Sequence, residues 1–363
     1  MNNLSSSNGL SAPPTKPLRF GVIGLGWVSQ HCHLPSMRML KARGWPIEKV
    51  VVCDRVDARV QNATALWPDA EFERDPIALL ERPDLDGVLI LTHPDSSPGL
   101  LRQAIQRRKT VFVEKPVAPT RDEIRSCATL ARNHQVKVQV GYNRRHQPLA
   151  SEYFQLLKGL GAGFHVKVRF WRAQRREPGF FDDTLVHCLD FLSQQMGELE
   201  VKGIQIWPAS LDTMALDQGW RVDLAAVHSS LLTAEVDIRP AVGRDLESYT
   251  AVGQKRSITL QNPHLAAADG PAALTLYREG KEQVLSCVRM NANDIEGRCL
   301  HSGFLHQMAE FSDLCAGVRA VPTCGLGEAE DALRLRDAIA AMVRKISEAG
   351  HPNGFPDNRP KVG

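Results

Sequence analysis

The sequence predicts an α/β protein: a doubly wound parallel sheet in its first part, then a second α/β region built on a large, mostly antiparallel sheet open on one face. Three observations carry this. Up to about residue 142, short strands that are apolar at every position alternate with helical segments, the mark of a parallel sheet covered on both faces. After about residue 143, strands follow one another with few helices between them and alternate apolar with polar positions, as in an antiparallel sheet with one wet face. The chain then closes on two helical segments, near 300–316 and 328–347.

Each element has its own signal. The run RFGVIGL (19–25) reads as a buried strand, followed by a helix over about 29–43. EKVVVCD (48–54) is a second buried strand, with a helix over 57–66. DPIALLE near residue 75 is helical, DGVLILT (86–92) a strand, and 98–108 a helix. TVFVEK (110–115), a helix over 121–133 and VKVQVGY (136–142) complete the first sheet. A helix near 148–158 leads to the alternating strand GFHVKVRFWRAQ, then to a helix around DDTLVHCLDFL. The later strands are VKGIQIWPA, HSSLLTAEVDIRP, ESYTAVGQKRSITLQ and AALTLYRE. Ligands of a doubly wound sheet bind at the carboxyl ends of its strands.

The totals agree with a soluble chain of two domains, since 363 residues at 43% hydrophobic content can bury two cores. The expected division is a tail over 1–17, a dinucleotide-binding domain over 18–143, and a domain over 144–363 for substrate binding and self-association. A net charge of +3, from 44 basic and 41 acidic residues, argues against a dedicated nucleic-acid binder. No apolar stretch approaches the roughly 18 residues of a membrane span. The start, MNNLSSSNGLSAPPTKP, has no basic patch followed by an apolar core and reads as a tail, not a secretory signal. Eight cysteines include no C-x-x-C pair; they read as small buried hydrophobes in a reducing compartment, with the cytoplasm as the expected location.

The first strand runs into Gly24-Leu25-Gly26-Trp27-Val28-Ser29. Two glycines permit a tight turn and close approach of the backbone to a pyrophosphate, and the helix start beyond them offers N–H groups to an anion. Ser29 stands where the usual fingerprint has a third glycine. The second strand ends in Asp54, placed to accept from an adenosine ribose; it disfavours a 2′-phosphate, so NAD(H) is the expected cofactor. Arg55 beside it keeps NADP(H) as the alternative.

Glu114-Lys115-Pro116 ends a strand, Gly141-Tyr142-Asn143-Arg144-Arg145 follows, and Asp183-Thr184-Leu185-Val186-His187-Cys188-Leu189-Asp190 comes third. In this order, after the glycine turn, the motifs resemble the glucose–fructose oxidoreductase/inositol dehydrogenase/MocA family, and within it the MviM-type members. The resemblance covers roughly residues 19–347. It implies a Rossmann domain followed by an α/β domain whose open sheet forms a dimer or tetramer interface. It also implies nicotinamide-dependent oxidation or reduction of a sugar, cyclitol or related polyol. The chain departs from the family pattern at Ser29, at Ser97, which replaces the histidine ending the T-P-P-x-x-H loop, and at Gly253-Gln254-Lys255-Arg256-Ser257.

Oxidising an alcohol requires a base for its proton and stabilisation of charge on its oxygen. Lys115 at a strand's carboxyl end is expected to donate to the substrate oxygen and to assist proton transfer. His187 is expected as the general acid/base, with Asp183, four residues earlier, orienting it or holding a substrate hydroxyl. The expected cofactor contacts are Gly24, Gly26, Trp27, Val28, Asp54, Arg55, Thr92, His93, Glu114, Lys115 and Asn143. Lys115, Arg144, Arg169, Arg172, Asp183 and His187 are the expected substrate contacts. Arg144, Arg145, Arg169 and Arg172 read equally as counter-charges for an acidic or phosphorylated substrate and as domain-interface salt bridges. His301 and His306 lack a diagnostic metal spacing, and no metal is expected. Two other readings stay open: a lyase or glycosidase that recycles its cofactor through a transient redox step, and a nicotinamide-binding sensor without catalysis.

Overall fold

The structure, a computed structural model, describes residues 10–173, 184–207, 219–262, 271–289 and 293–348. Its first sheet holds six parallel strands: β1 (Leu18–Ile23), β2 (Ile47–Cys53), β3 (Glu71–Phe72), β4 (Gly87–Ile90), β5 (Thr110–Val113) and β6 (Val138–Val140), in the order β3-β2-β1-β4-β5-β6. The strand order reverses between β1 and β4, and a crevice opens at their carboxyl ends at such a reversal. Helices α1 (Leu34–Ala42), α2 (Asp57–Leu66), α3 (Pro76–Glu81), α4 (Ser97–Gln106) and α5 (Arg121–His134) make the connections. One face buries Val51, Val88, Ile90, Val111 and Val113 under Leu101 and Ile105 of α4 and Ile124 and Cys127 of α5. These are the all-apolar strands of a sheet covered on both sides.

The helix expected over 29–43 begins differently. Residues Ser29–His33 form a π-helical turn before α1. Pro35 has no N–H to give to the His31 carbonyl, so an α-turn cannot close there and the wider turn takes its place.

The second sheet has eight strands, in the order β14-β13-β12-β11-β7-β10-β9-β8. They are β7 (Phe164–Trp171), β8 (Leu199–Trp207), β9 (Gly219–Ala226), β10 (Ser229–Arg239), β11 (Leu246–Val252), β12 (Arg256–Gln261), β13 (Ala272–Arg278) and β14 (Lys281–Val288). Every pairing is antiparallel except β7 with β10. Helices α6 (Pro148–Leu157), α7 (Leu185–Met196) and α10 (Leu326–Glu348) cover one face, where Val166, Val168, Phe170, Val236, Ile238 and Tyr249 are buried. The alternating residues of β7, Lys167 and Arg169, are exposed on the other face. There Arg221 pairs with Glu235 and the Trp171 indole donates to Asp237.

Three features refine the expected elements. ESYTAVGQKRSITLQ is two strands, β11 and β12, folded back at Gly253. AALTLYRE has a partner, β14, across a turn in which Glu279 and Gly280 both take positive φ, the geometry of a two-residue hairpin. The segment expected as one helix near 300–316 is split at Gly303 (φ +87°) into α8 (Ile295–His301) and α9 (Phe304–Ala316). Leu305, Met308 and Phe311 of α9 reach back across the chain to bury Phe20, Val22 and Phe112 of the first sheet.

Candidate active site

The glycine turn sits at the crevice. Gly24 has φ +94°, and a Cβ there would lie 2.6 Å from the Leu91 carbonyl oxygen, so only glycine fits. Above Gly26 a Cβ would meet nothing within 4 Å, which leaves the backbone open to an approaching ligand. Gly24, Gly26, Trp27, Val28, Asp54, Arg55, Thr92, His93, Glu114 and Lys115 all border one cavity of about 640 Å³. A tight glycine turn with open space above Gly26, a helix start and a neighbouring acid fit a dinucleotide.

Asp54 does more than end β2. Its Oδ2 accepts from the Leu25 N–H at 2.7 Å and its Oδ1 from the Val56 N–H at 2.9 Å. The carboxylate therefore ties the end of β2 to the glycine turn, and each oxygen keeps a second lone pair for a ribose hydroxyl. Arg59 Nη1 lies 3.6 Å from Oδ2, and Arg59 and Arg74 join Arg55 along the cavity. Neither was singled out in the sequence, because α2 and the β3–α3 connection carry no motif. Ser97, in place of the family histidine, is buried, and its hydroxyl meets Thr92 Oγ1 at 2.9 Å and accepts no charge; it closes the loop after β4. Trp27 is 47% exposed, stacks on His31 at 4.7 Å, and lies 5.7 Å from the Arg298 guanidinium.

Lys115 follows β5. Its N–H donates to Glu114 Oε2 at 3.0 Å, while Glu114 Oε1 lies 2.7 Å from Nε2 of the fully buried His33. A Cβ at residue 141 would stand 2.9 Å from the Glu114 carboxyl, so Gly141 makes room for this acid. The histidine was overlooked in the sequence, since His33 falls within a helical run that reads as packing.

His187 lies on α7, edge-on to the Tyr142 ring at 5.8 Å, with Nδ1 buried and without a hydrogen-bond partner among the described residues. Burial pushes its pKa well below 6.5, and the positive charges of Arg144, Lys115 and Arg172 push it the same way. The imidazole is therefore neutral at neutral pH. Asp183, expected to orient it, lies outside the described residues.

The arginines divide. Arg144 binds Glu247 of β11 through Nε (2.5 Å) and Nη2 (2.7 Å), and Arg172 Nη2 reaches the same acid at 3.1 Å. Arg145 is taken by the buried Asp190, at 2.8–3.1 Å, a brace between the residues after β6 and α7. Arg169 is exposed on the far face of the second sheet, over the Trp171 ring, and does not meet the other predicted substrate contacts. The spacing foretells this: residues three apart in a strand point to opposite faces, and Arg172 returns to the side of Phe170. Asn143 does not border the cofactor cavity; it is buried and its Nδ2 donates to the Ser302 carbonyl at 2.7 Å. His301 and His306 border a second cavity, of about 770 Å³, on which neither Lys115 nor His187 opens. Among the described residues, no cluster of three or more His, Cys, Asp or Glu is placed to hold a metal ion.

Comparison with known proteins agrees with this geometry. Residues 18–142 match the family model described as an oxidoreductase family with an NAD-binding Rossmann fold. The chain is 30% identical over 243 residues to an inositol 2-dehydrogenase/D-chiro-inositol 3-dehydrogenase of Halalkalibacterium halodurans, covering 63% of this chain and 68% of that one. Across the first three curated relatives the matched segment spans 57–68% of their length. The fold is shared with a dehydrogenase (MviM) from Clostridium difficile, at TM-score 0.71 and 15% identity over 90% of this chain and 100% of that one. It is shared too with a 3-ketoreductase from Actinomadura kijaniata solved with NADP, at TM-score 0.70 and 18% identity over 90% and 97% of the two chains.

Proposed function

The chain belongs to the glucose–fructose oxidoreductase/inositol dehydrogenase/MocA family of oxidoreductases, and from that premise we propose that it moves hydride between a nicotinamide cofactor and a hydroxyl or keto carbon of a sugar, cyclitol or related polyol. One observation carries the reading: the glycine turn, Asp54 and Lys115 border one cavity. The buried His187 imidazole, on which the charge of Lys115 acts, is assigned to the same site. A cofactor and a proton-transferring group would meet there.

The cofactor's diphosphate would lie against Gly24, Gly26 and the helix start, and its ribose against Asp54. Bound in this way, it would supply the hydride acceptor or donor. In the oxidising direction, neutral His187 takes the hydroxyl proton and Lys115 donates to the oxygen; in the reducing direction His187 returns the proton. Asp183 is assigned to orient His187. The Glu114–His33 pair holds the chain at Lys115 in register. The negative charge of Asp54 at the cavity disfavours a 2′-phosphate and so favours NAD(H); Arg55, Arg59 and Arg74 on the same cavity keep NADP(H) as the alternative. We assign residues 18–143 to cofactor binding and 144–363 to the substrate. Self-association as a dimer or tetramer is assigned to the open face of the second sheet, and the cytoplasm to the whole.

The test is a titration with NADH and NADPH followed by tryptophan quenching, since Trp27 stands at the cavity. Micromolar binding of either cofactor, with a polyol-dependent change in cofactor absorbance, is expected. His187→Ala is expected to lower kcat by about 10²–10⁴-fold, the usual worth of a general acid/base, with cofactor binding retained. If neither cofactor binds, the proposal falls.

A further inference from the structure

We infer that Arg145 and Asp190 are positioning residues for the reaction: their buried ion pair sets α7 in the one register that holds the His187 imidazole beside the strand end carrying Lys115. The inference rests on the oxidoreductase reading above and names what positions its proton-transferring group.

The frame begins in the first sheet. β5 and β6 pair in parallel with Val113 opposite Val140, and the Gly141 N–H donates to the Val113 carbonyl at 2.8 Å, so the pairing continues past β6. Lys115 and Tyr142 each stand two residues beyond that pair, at the ends of adjacent strands, and such strands run about 4.8 Å apart. Tyr142 is fully buried, and its ring meets the His187 ring edge-on, with centroids 5.8 Å apart. A ring contact therefore ties α7 to the strand next to the one that ends in Lys115.

A second contact lies one turn further along both segments. Residues Asn143–His146 form a 3₁₀ turn, in which side chains three apart share a side, and the Arg145 N–H donates to the Tyr142 carbonyl at 3.2 Å. His187 and Asp190 are likewise three apart, on one face of α7. Tyr142 thus meets His187, and Arg145 meets Asp190. The second contact is the directional one. Arg145 Nε lies 2.9 and 3.1 Å from the two Asp190 oxygens, and Nη2 lies 2.8 Å from Oδ1. Nη1 donates to the Thr323 carbonyl at 3.3 Å, and the Cys324 thiol donates to Asp190 Oδ1 at 3.9 Å. The two side chains are only 7% and 1% exposed.

The chemistry of the pair points to register. α7 otherwise packs through Leu185, Leu189, Leu192 and Met196, and apolar burial is non-directional. A slip of one residue would turn the helix by about 100° and carry His187 off the Tyr142 ring. A two-point guanidinium–carboxylate contact admits one orientation. Such a pair costs both ions their hydration, and apolar residues of similar volume often stabilise a buried place as well or better. A fixed geometry is what the two ions add.

The test combines Arg145→Met with Asp190→Leu in the full chain, which removes both charges together and leaves neither buried alone. Melting, NADH binding by tryptophan quenching and NAD⁺-dependent turnover of myo-inositol are compared with wild type. So are the NMR signals of the His187 ring, in histidine-labelled protein assigned through His187→Gln. Unchanged Tm and NADH Kd are expected, with kcat down about tenfold or more, since a misplacement of about 1 Å can cost 10²-fold. The His187 signals, displaced in wild type by the Tyr142 ring current, are expected to move toward ordinary histidine values. Arg145→Lys keeps the charge but loses the planar fork; the same changes are expected, and it carries the test if the double variant does not fold. Wild-type kcat with unmoved His187 signals in a folded variant overturns the inference, as does a kcat that falls only in proportion to folded protein. If myo-inositol is not turned over, the His187 signals decide alone. Failure of the wild type to bind NADH or NADPH removes the oxidoreductase reading itself, and is seen before any variant is made.

Discussion

Replacing Glu247 by glutamine removes one negative charge from the midst of two buried guanidiniums while keeping the side chain's volume. Its carboxylate accepts three hydrogen bonds from Arg144 and Arg172, at 2.5–3.1 Å, and one each from Tyr249 and Asn262. Glutamine offers one acceptor oxygen and turns an NH₂ toward donors. Breaking a buried ion pair by removing one partner costs about 3–5 kcal/mol, and the two arginines place Glu247→Gln in that range. For a cooperative unit of some 200 residues this corresponds to a fall in Tm of roughly 6–20 °C. Thermal or urea unfolding of both proteins measures it. The difference also has a pH signature. The guanidiniums hold Glu247 well below its ordinary 4.5, against the opposing push of burial. Wild type thus gains this stabilisation fully above about pH 4.5 and loses it as the pH falls toward the folded-state value. Glutamine does not titrate, so the gap between the two proteins narrows in acid. A loss below about 1 kcal/mol, the scale of an exposed pair, or a gap that stays constant down to pH 3, would refute the account of Glu247 as a buried, shared counter-ion.

Further predictions follow from single contacts. Gly24→Ala forces a Cβ to 2.6 Å from the Leu91 carbonyl oxygen at φ +94°; it is expected to cost about 1–3 kcal/mol and to weaken cofactor binding, and an unchanged Tm and Kd would contradict this. His33→Leu strips Glu114 of its 2.7 Å partner; a loss of about 1–3 kcal/mol is expected, with kcat falling more than cofactor affinity, and a purely proportional loss of folded protein would show His33 to be packing alone. Because burial and three nearby cations hold His187 below 6.5, kcat/KM for oxidation is expected to decline only below about pH 6.5, and an acid limb centred above pH 7 that His187→Gln abolishes would contradict the neutral-base role. Sedimentation at micromolar concentration is expected to show a dimer or tetramer; a monomer would remove the sheet-face assembly.

The fold was largely readable because its signals are local. Buried parallel strands must be apolar at every position, so VVVCD and TVFV declare themselves. The half-covered sheet alternates for an equally local reason, and the glycine turn announces itself through residues that lack a Cβ. What escaped were pairings whose partners lie far apart in the chain. The sequence offers nothing to say that α9 crosses back to cover Phe20 and Phe112. β14 was missed because its exposed edge position leaves KEQVLSCV without the pattern that burial imposes.

The same division holds at the site. The amino-acid order by itself determined the two architectures and the glycine turn, because backbone conformation and side-chain type are written position by position; Lys115 and His187 were singled out through the family resemblance of their motifs. Only the tertiary structure decided which charges meet. It joined Arg144 to Glu247, 103 residues away, gave Arg145 to Asp190, sent Arg169 to the opposite face, and buried His33 against Glu114. Charge acts through space and is governed by burial, and both depend on contacts between segments that no local pattern encodes.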